Sequence, residues 1–161
     1  MKEQITYRKC VATWLRQQGH LVTPAVHNED HSSIKFKVQG VDFTVRIDES
    51  DPGFILLSHG FLLPQDLEEG PAVTSHALEI EKRLKVVKIQ LDWEDRTVEF
   101  NAEQFIPNRS FEPIFWRCGD VLGKAAYAFF SELSEISAKV AAHEFIDVLG
   151  RDLGINSGEQ R

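Results

Sequence analysis

The segment from Leu84 to Ile106, LKVVKIQLDWEDRTVEFNAEQFI, constrains the fold more than any other part of the chain. Val87, Ile89, Leu91 and Trp93 fall on one side of an extended backbone, with Lys88, Gln90 and Asp92 on the other. That two-residue period belongs to a half-buried strand. Glu94, Asp95 and Arg96 interrupt it, after which Val98, Phe100 and Ala102 resume the apolar side opposite Thr97, Glu99 and Asn101. The pattern predicts an antiparallel hairpin joined at an acidic turn, with one apolar face that helices before and after it must cover.

Further strands lie upstream. Ile34, Phe36 and Val38 alternate with Lys35, Lys37 and Gln39, and beyond Gly40 the residues Val41, Phe43, Val45 and Ile47 alternate with Asp42, Thr44, Arg46 and Asp48. The spacing around Gln39-Gly40 suits a second hairpin. A turn cluster, Glu49-Ser50-Asp51-Pro52-Gly53, leads into a third strand, FILLSHGFLL, that is apolar on both sides. Two arrangements accommodate it: a central position with helices on one face and a partner on the other, or a bulge at Gly60 that switches its faces. Leu21 and Val22 are short but can extend against the sheet.

Helices fill the remainder. Ile5, Tyr7, Cys10, Val11, Trp14 and Leu15 form one stripe at helical spacing, stopped by Gly19. Thr74 or Ser75 is positioned to cap a helix carrying Ala77, Leu78, Ile80 and Leu84. After Ser110 a long stripe runs through Ile114, Cys118, Val121, Leu122, Ala125, Phe129, Leu133, Ile136 and Val140. Its period fits one helix to Leu149 equally with two joined near Ser134 and Ser137. The predicted architecture is α+β: one antiparallel five-stranded sheet with helices on one face, in the order α-β-β-β-α-β-β-α.

At 161 residues the chain suits a single domain, expected over residues 1–149, with 150–161 as a flexible tail. Its 18 basic and 25 acidic side chains leave a net charge of −7, which repels phosphate backbones and anionic lipid. No apolar run is long enough to span a bilayer, and the opening Met1-Lys2-Glu3-Gln4 is no secretory signal, so a cytoplasmic protein without nucleic-acid or membrane partners is expected. Cys10 and Cys118 each sit inside a helical apolar stripe and read as buried reduced thiols rather than a disulfide.

The candidate chemical motifs have simpler readings. His27, Glu29, Asp30 and His31 place two imidazoles and two carboxylates in one loop, a small-molecule or zinc alternative that lacks further ligands on rigid elements apart from His20. Ser58 and His59 are neighbours on a strand and point to opposite faces, so they make no nucleophile–base dyad. The acidic groups at 48–51, 66–69 and 92–95 lie at turns, where Asp bonds its own backbone. Gly119 to Lys124 lacks the glycine spacing of a phosphate loop and falls within a helix, where small residues permit close packing. Phe115, Trp116, Phe129 and Phe130 read as core in preference to a ligand pocket. No catalytic residue, cofactor or metal is assigned.

The element order, the Trp14-Leu15 helix closed by Gly19, a third strand ending at Leu63-Pro64, and a helix feeding directly into LKVVKIQLDWEDRTVEF together resemble the bacterial YbjN-type family. That family shares the fold of type III secretion chaperones, and the resemblance covers Tyr7 to Phe130. It implies protein binding by a dimer, since secretion chaperones hold partly unfolded effector segments and YbjN-type proteins are regarded as regulatory. Apolar excess on the third strand points the same way: one of its two sides needs cover from outside the chain. The expected function is a non-enzymatic chaperone-like or regulatory adaptor, a homodimer that binds a protein client through an apolar sheet face or strand edge, with Phe54, Leu56 and Leu62 as the contact residues.

Overall fold

A computed structural model of the protein describes residues 7–23, 31–38, 41–48, 51, 53–105 and 111–152. The first helix, α1 (Tyr7–Gln17), buries Val11 and Leu15 and ends where Gly19 adopts φ 83°, a left-handed conformation that costs a side chain dearly and glycine little. There the His20 N–H returns to the Leu15 carbonyl, and the Gly19 N–H to that of Arg16. Cys10 lies on the exposed flank of α1, against the expectation that both thiols are buried. Cys118 is buried, and both are free. Val11, Trp14 and Leu15 seat the helix, and Cys10 sits at the margin of that stripe.

Six strands follow, one more than the pattern predicts: β1 (Leu21–Thr23), β2 (His31–Val38), β3 (Val41–Asp48), β4 (Phe54–Leu62), β5 (Val87–Asp92) and β6 (Thr97–Phe105). The additional strand is β1, whose three residues pair with Lys35, Phe36 and Lys37 of β2. Leu21 and Val22 do extend against the sheet, but with Leu21 exposed and Val22 alone packed on the core the strand is too short for alternation to identify it. The element order is therefore α-β-β-β-β-α-β-β-α.

All pairs are antiparallel, and the spatial order is β1-β2-β3-β4-β6-β5. Strand β4 is thus interior. Its register with β6 runs unbroken from Phe54 opposite Phe105 to Leu62 opposite Thr97, so Gly60 is an ordinary ladder residue and no bulge switches the faces. One face is apolar and covered over most of its area: Ile34 and Phe36, Val45 and Ile47, Ile55 and Leu57, Val98 and Phe100 all join the core. At about 25 cal/mol per Å² of apolar area removed from water, this face is the main source of stability.

Helix α2 (Pro71–Arg83) carries the chain from β4 to the far edge, where β5 begins. It starts at Pro71 with Gly70 as a cap lacking any side-chain bond, not at Thr74 or Ser75. Proline's fixed φ favours the first helical position, and the Thr74 hydroxyl instead donates back to the Gly70 carbonyl. Helix α3 is one unbroken helix, Phe111–Asp152, of 42 residues and so about 63 Å long. Its buried stripe is Phe111, Phe115, Cys118, Leu122, Ala125, Phe129 and Leu133. The expected tail therefore begins within α3, and residues 153–161 lie outside the described residues.

Two helices lock together through a histidine. His76 of α2 stacks on Phe129 at 5.5 Å, donates from Nε2 to the Phe129 carbonyl, and Arg83 beside it pairs with Glu132. Among the described residues, no helix is long and apolar enough to cross a membrane.

Candidate functional site

Because α3 covers β4 and β6 while α1 covers β1 and β2, the apolar face of the sheet is left partly open between them, at Val38 of β2 and the Val41–Phe43 end of β3. A groove of about 670 Å³ lies there. Its floor is Val38, Val41, Phe43, His59 and Phe61; its wall is the α3 side formed by Gly123, Ala126, Tyr127 and Phe130. A smaller hollow of about 140 Å³ shares Val38 and Phe43 and continues the groove along α3 past Gly119 to Trp116. From Trp116 to Phe130 the groove follows about 21 Å of helix.

Sequence explains the opening. Positions 116, 119, 123, 126 or 127 and 130 recur every three or four residues and so share one helix face. That face carries two glycines. A side chain added at Gly119 or Gly123 would meet nothing within 4 Å, so these residues do not serve close packing, as their size suggests. They leave space instead. Tyr127 stands 78% exposed over the groove, although tyrosine is an expensive side chain to leave in water along its whole ring.

At the floor, His59 is 6% exposed and its ring is held on three sides. Phe43 stacks on it at 4.7 Å, Phe61 meets it edge-on at 3.9 Å, and Nδ1 lies 2.8 Å from the Asp42 carbonyl oxygen. A carbonyl only accepts, so Nδ1 carries the proton and the neutral ring presents Nε2 as a bare acceptor. Burial pushes the imidazole below its ordinary 6.5, against a smaller raising effect from Asp42. Nε2 has no hydrogen-bond partner among the described residues. As expected, Ser58 points to the opposite face of the sheet, so the two form no dyad.

Among the described residues, no helix covers that opposite face. It presents Lys35, Lys37, Thr44, Arg46, Lys88 and Glu99, with a small apolar cluster at one end where Phe54 and Phe105 meet at 5.2 Å next to Leu56. Phe105 is 68% exposed, and the sequence pattern missed it because it closes a strand whose apolar side is the other one. Leu62 is 77% exposed at the far end of β4, six residues beyond Leu56 and so about 20 Å away. Of the three contact residues expected on this strand, the structure brings Phe54 and Leu56 together and leaves Leu62 apart.

The strand edges are less available. At the outer edge of β5 the Ile89 N–H is occupied by Glu81 Oε1 of α2 at 2.7 Å, and Lys88 Nζ reaches the same carboxylate at 3.6 Å. The other edge, β1, is only three residues long. Of the loop histidines, His27 lies outside the described residues together with Glu29 and Asp30, and His31 opens β2. Among the described residues, no three His, Cys, Asp or Glu side chains converge as a metal site. The turn carboxylates bond their own backbone, Asp48 to Asp51, Asp51 to Gly53 and Asp92 to Asp95.

No protein-family model and no curated protein matches the sequence. Solved structures do match the fold. A protein from Methanothermobacter thermautotrophicus superposes with a TM-score of 0.60 at 13% identity, over 80% of this chain and 97% of that one. A chain of the HopA1–SchA chaperone–effector complex gives 0.52 at 16% identity, over 74% and 89%. YbjN from E. coli gives 0.52 at 14% identity, over 80% and 92%. The chain therefore has the fold shared by YbjN and this chaperone–effector structure, in agreement with the resemblance read from its sequence.

Proposed function

We propose that this protein is a non-enzymatic protein-binding module, chaperone-like or a regulatory adaptor, that holds an apolar segment of a polypeptide client against the groove between α3 and the β2–β3 hairpin. The observation that carries the reading is the groove itself: about 670 Å³, walled by Val, Phe and Ala side chains and left open to water. Monomeric proteins seldom leave such a concave apolar surface without use. The strand edge gives weaker support, because Glu81 already occupies β5 and β1 is short. The likeness of the fold to a chaperone–effector complex is consistent with a protein client.

Homodimerisation belongs to the same reading and uses the other face. Phe54 and Leu56, joined by Phe105, form the apolar cluster suited to contact with a second copy, and Leu62 lies too far along the strand to share in it. Two variants separate the roles. Gly123→Glu, at a position where an added side chain meets open space, places a charge in the groove and is expected to abolish capture of client polypeptides by cross-linking in the native cell, with the thermal transition retained. Leu56→Ser with Phe105→Ser is expected to convert a dimer to a monomer in sedimentation while capture persists. Undiminished capture by Gly123→Glu would remove the groove from the function.

A further inference from the structure

We propose that the groove is an anchor site for a tryptophan side chain of the bound polypeptide, whose indole N–H donates to Nε2 of His59. The inference rests on the protein-binding reading above and names the chemistry the site selects.

Three observations on the groove lead to it. First, the described residues lining the 670 Å³ groove carry no charged side chain, so nothing in it pairs with a carboxylate or phosphate. Second, its lining is aromatic and aliphatic, with Phe43, Phe61, Phe130 and Tyr127 supplying surface on which a flat ring can pack. Third, among the described lining residues the buried polar side chain is His59, whose ring nitrogen Nε2 is an acceptor with no partner among the described residues and is not sealed off from the groove.

An accessible acceptor on an otherwise apolar aromatic floor is matched best by a donor that brings no lone pairs of its own. Indole N–H is donor only. A phenol or alcohol would satisfy Nε2 but leave its oxygen lone pairs facing Phe61 and Phe130, and the Ser131 hydroxyl at the rim already donates to the Ala128 carbonyl. A large flat ring with one N–H therefore fits the site's shape and its single polar demand together. Gly123 supplies the clearance, because any side chain there would project into the same space. The groove also exceeds what one ring fills, so residues flanking the tryptophan on the client have room along α3 toward Gly119.

The test compares three probes on the full chain with ¹⁵N-labelled histidine: N-acetyl-tryptophanamide, indole, and 1-benzothiophene, which has the shape of indole without the N–H. Binding is read from the His59 ring-nitrogen resonances and from those of Phe61 and Phe130. The expected result is that both indoles shift Nε2 of His59 and that benzothiophene binds about fivefold more weakly than indole, the worth of one hydrogen bond. His59→Phe should bring that ratio to about one while keeping apolar binding. The wild-type ratio decides the matter alone where that variant fails to fold.

Equal binding of indole and benzothiophene by the wild type overturns the tryptophan assignment and leaves the groove as a client site. Absence of binding by all three probes overturns the assignment and the groove reading together. Binding of free indole but not of N-acetyl-tryptophanamide identifies a small aromatic molecule as the occupant, and loss of a dimer on adding either indole identifies a second copy. Both outcomes overturn the client assignment.

Discussion

Arg96 occupies the turn between β5 and β6 at φ 56°, a conformation uncommon for any residue with a side chain. Its guanidinium explains the position. NH1 donates to the Leu67 carbonyl at 2.9 Å and NH2 to that of Pro64, its own carbonyl accepts the Leu63 N–H at 2.8 Å, and the group lies over Trp93 at 6.0 Å. One side chain thus ties the acidic 64–70 connection to the hairpin. Arg96→Ala is expected to lower unfolding free energy by ~1–3 kcal/mol in urea titration, since it strands the Leu67 carbonyl, leaves the Pro64 carbonyl with the Leu67 N–H alone and keeps the strained φ. Arg96→Gly should recover about 1 kcal/mol of that loss by relieving the backbone. A change under about 0.5 kcal/mol for Arg96→Ala would show the tether to be ornamental. Nothing in local spacing announces this residue: its partners lie 29 and 32 positions away, and the sequence pattern shows Arg96 only as an interruption. His59 permits a second test. Its imidazole is held below 6.5 in the folded protein, chiefly by burial. As pH falls through 6.5 the unfolded chain takes up this proton while the folded one resists, so the contribution is full above 6.5 and declines until the lower folded value is passed. Wild type is expected to lose more stability between pH 7.5 and 5.5 than His59→Phe. Parallel losses in the two would show that the ring is not held neutral.

At the scale of elements, the hairpin β5–β6 was fully legible because its alternation is strict and its apolar side faces a core. Strand β4 was legible in place but not in consequence. Its double-sided apolar character suggested a large bare apolar face, yet on the uncovered side Leu56 is flanked across the sheet by Arg46 and Glu103, and only the end bearing Phe54 and Phe105 is oily. The groove was missed for a related reason. Periodicity reports which helix residues face inward, and Gly119, Gly123, Ala126 and Phe130 satisfy that pattern whether or not anything packs against them. Only the placement of α1 and α3 over different strands shows that they face a gap. The β5 edge supplies an element-scale prediction. Glu81→Ala frees the Ile89 N–H, which should cost ~1–2 kcal/mol and promote concentration-dependent association by edge pairing, whereas Glu81→Gln keeps an acceptor there and should do neither to the same degree. Sedimentation at several concentrations checks it, and an Ala variant as monodisperse as wild type would mean α2 itself, not the carboxylate, guards the edge.

For the molecule as a whole, the six strands form a single layer in which hairpins provide the local pairings and one pairing does not come from a hairpin. Phe54 through Leu62 of β4 meet Thr97 through Phe105 of β6, with α2 and β5 lying between them in sequence. The order of appearance in the chain is thus not the order in the sheet. A ribosome releasing this protein from its N-terminus exposes FILLSHGFL as a strand with an empty side until Phe105 has emerged. Long-range closure of this kind slows folding, and an unpaired apolar edge invites intermolecular pairing while it waits. The nascent chain therefore passes through an interval of aggregation risk whose length is set by the synthesis of α2, β5 and β6, and any pause in translation within that stretch prolongs it.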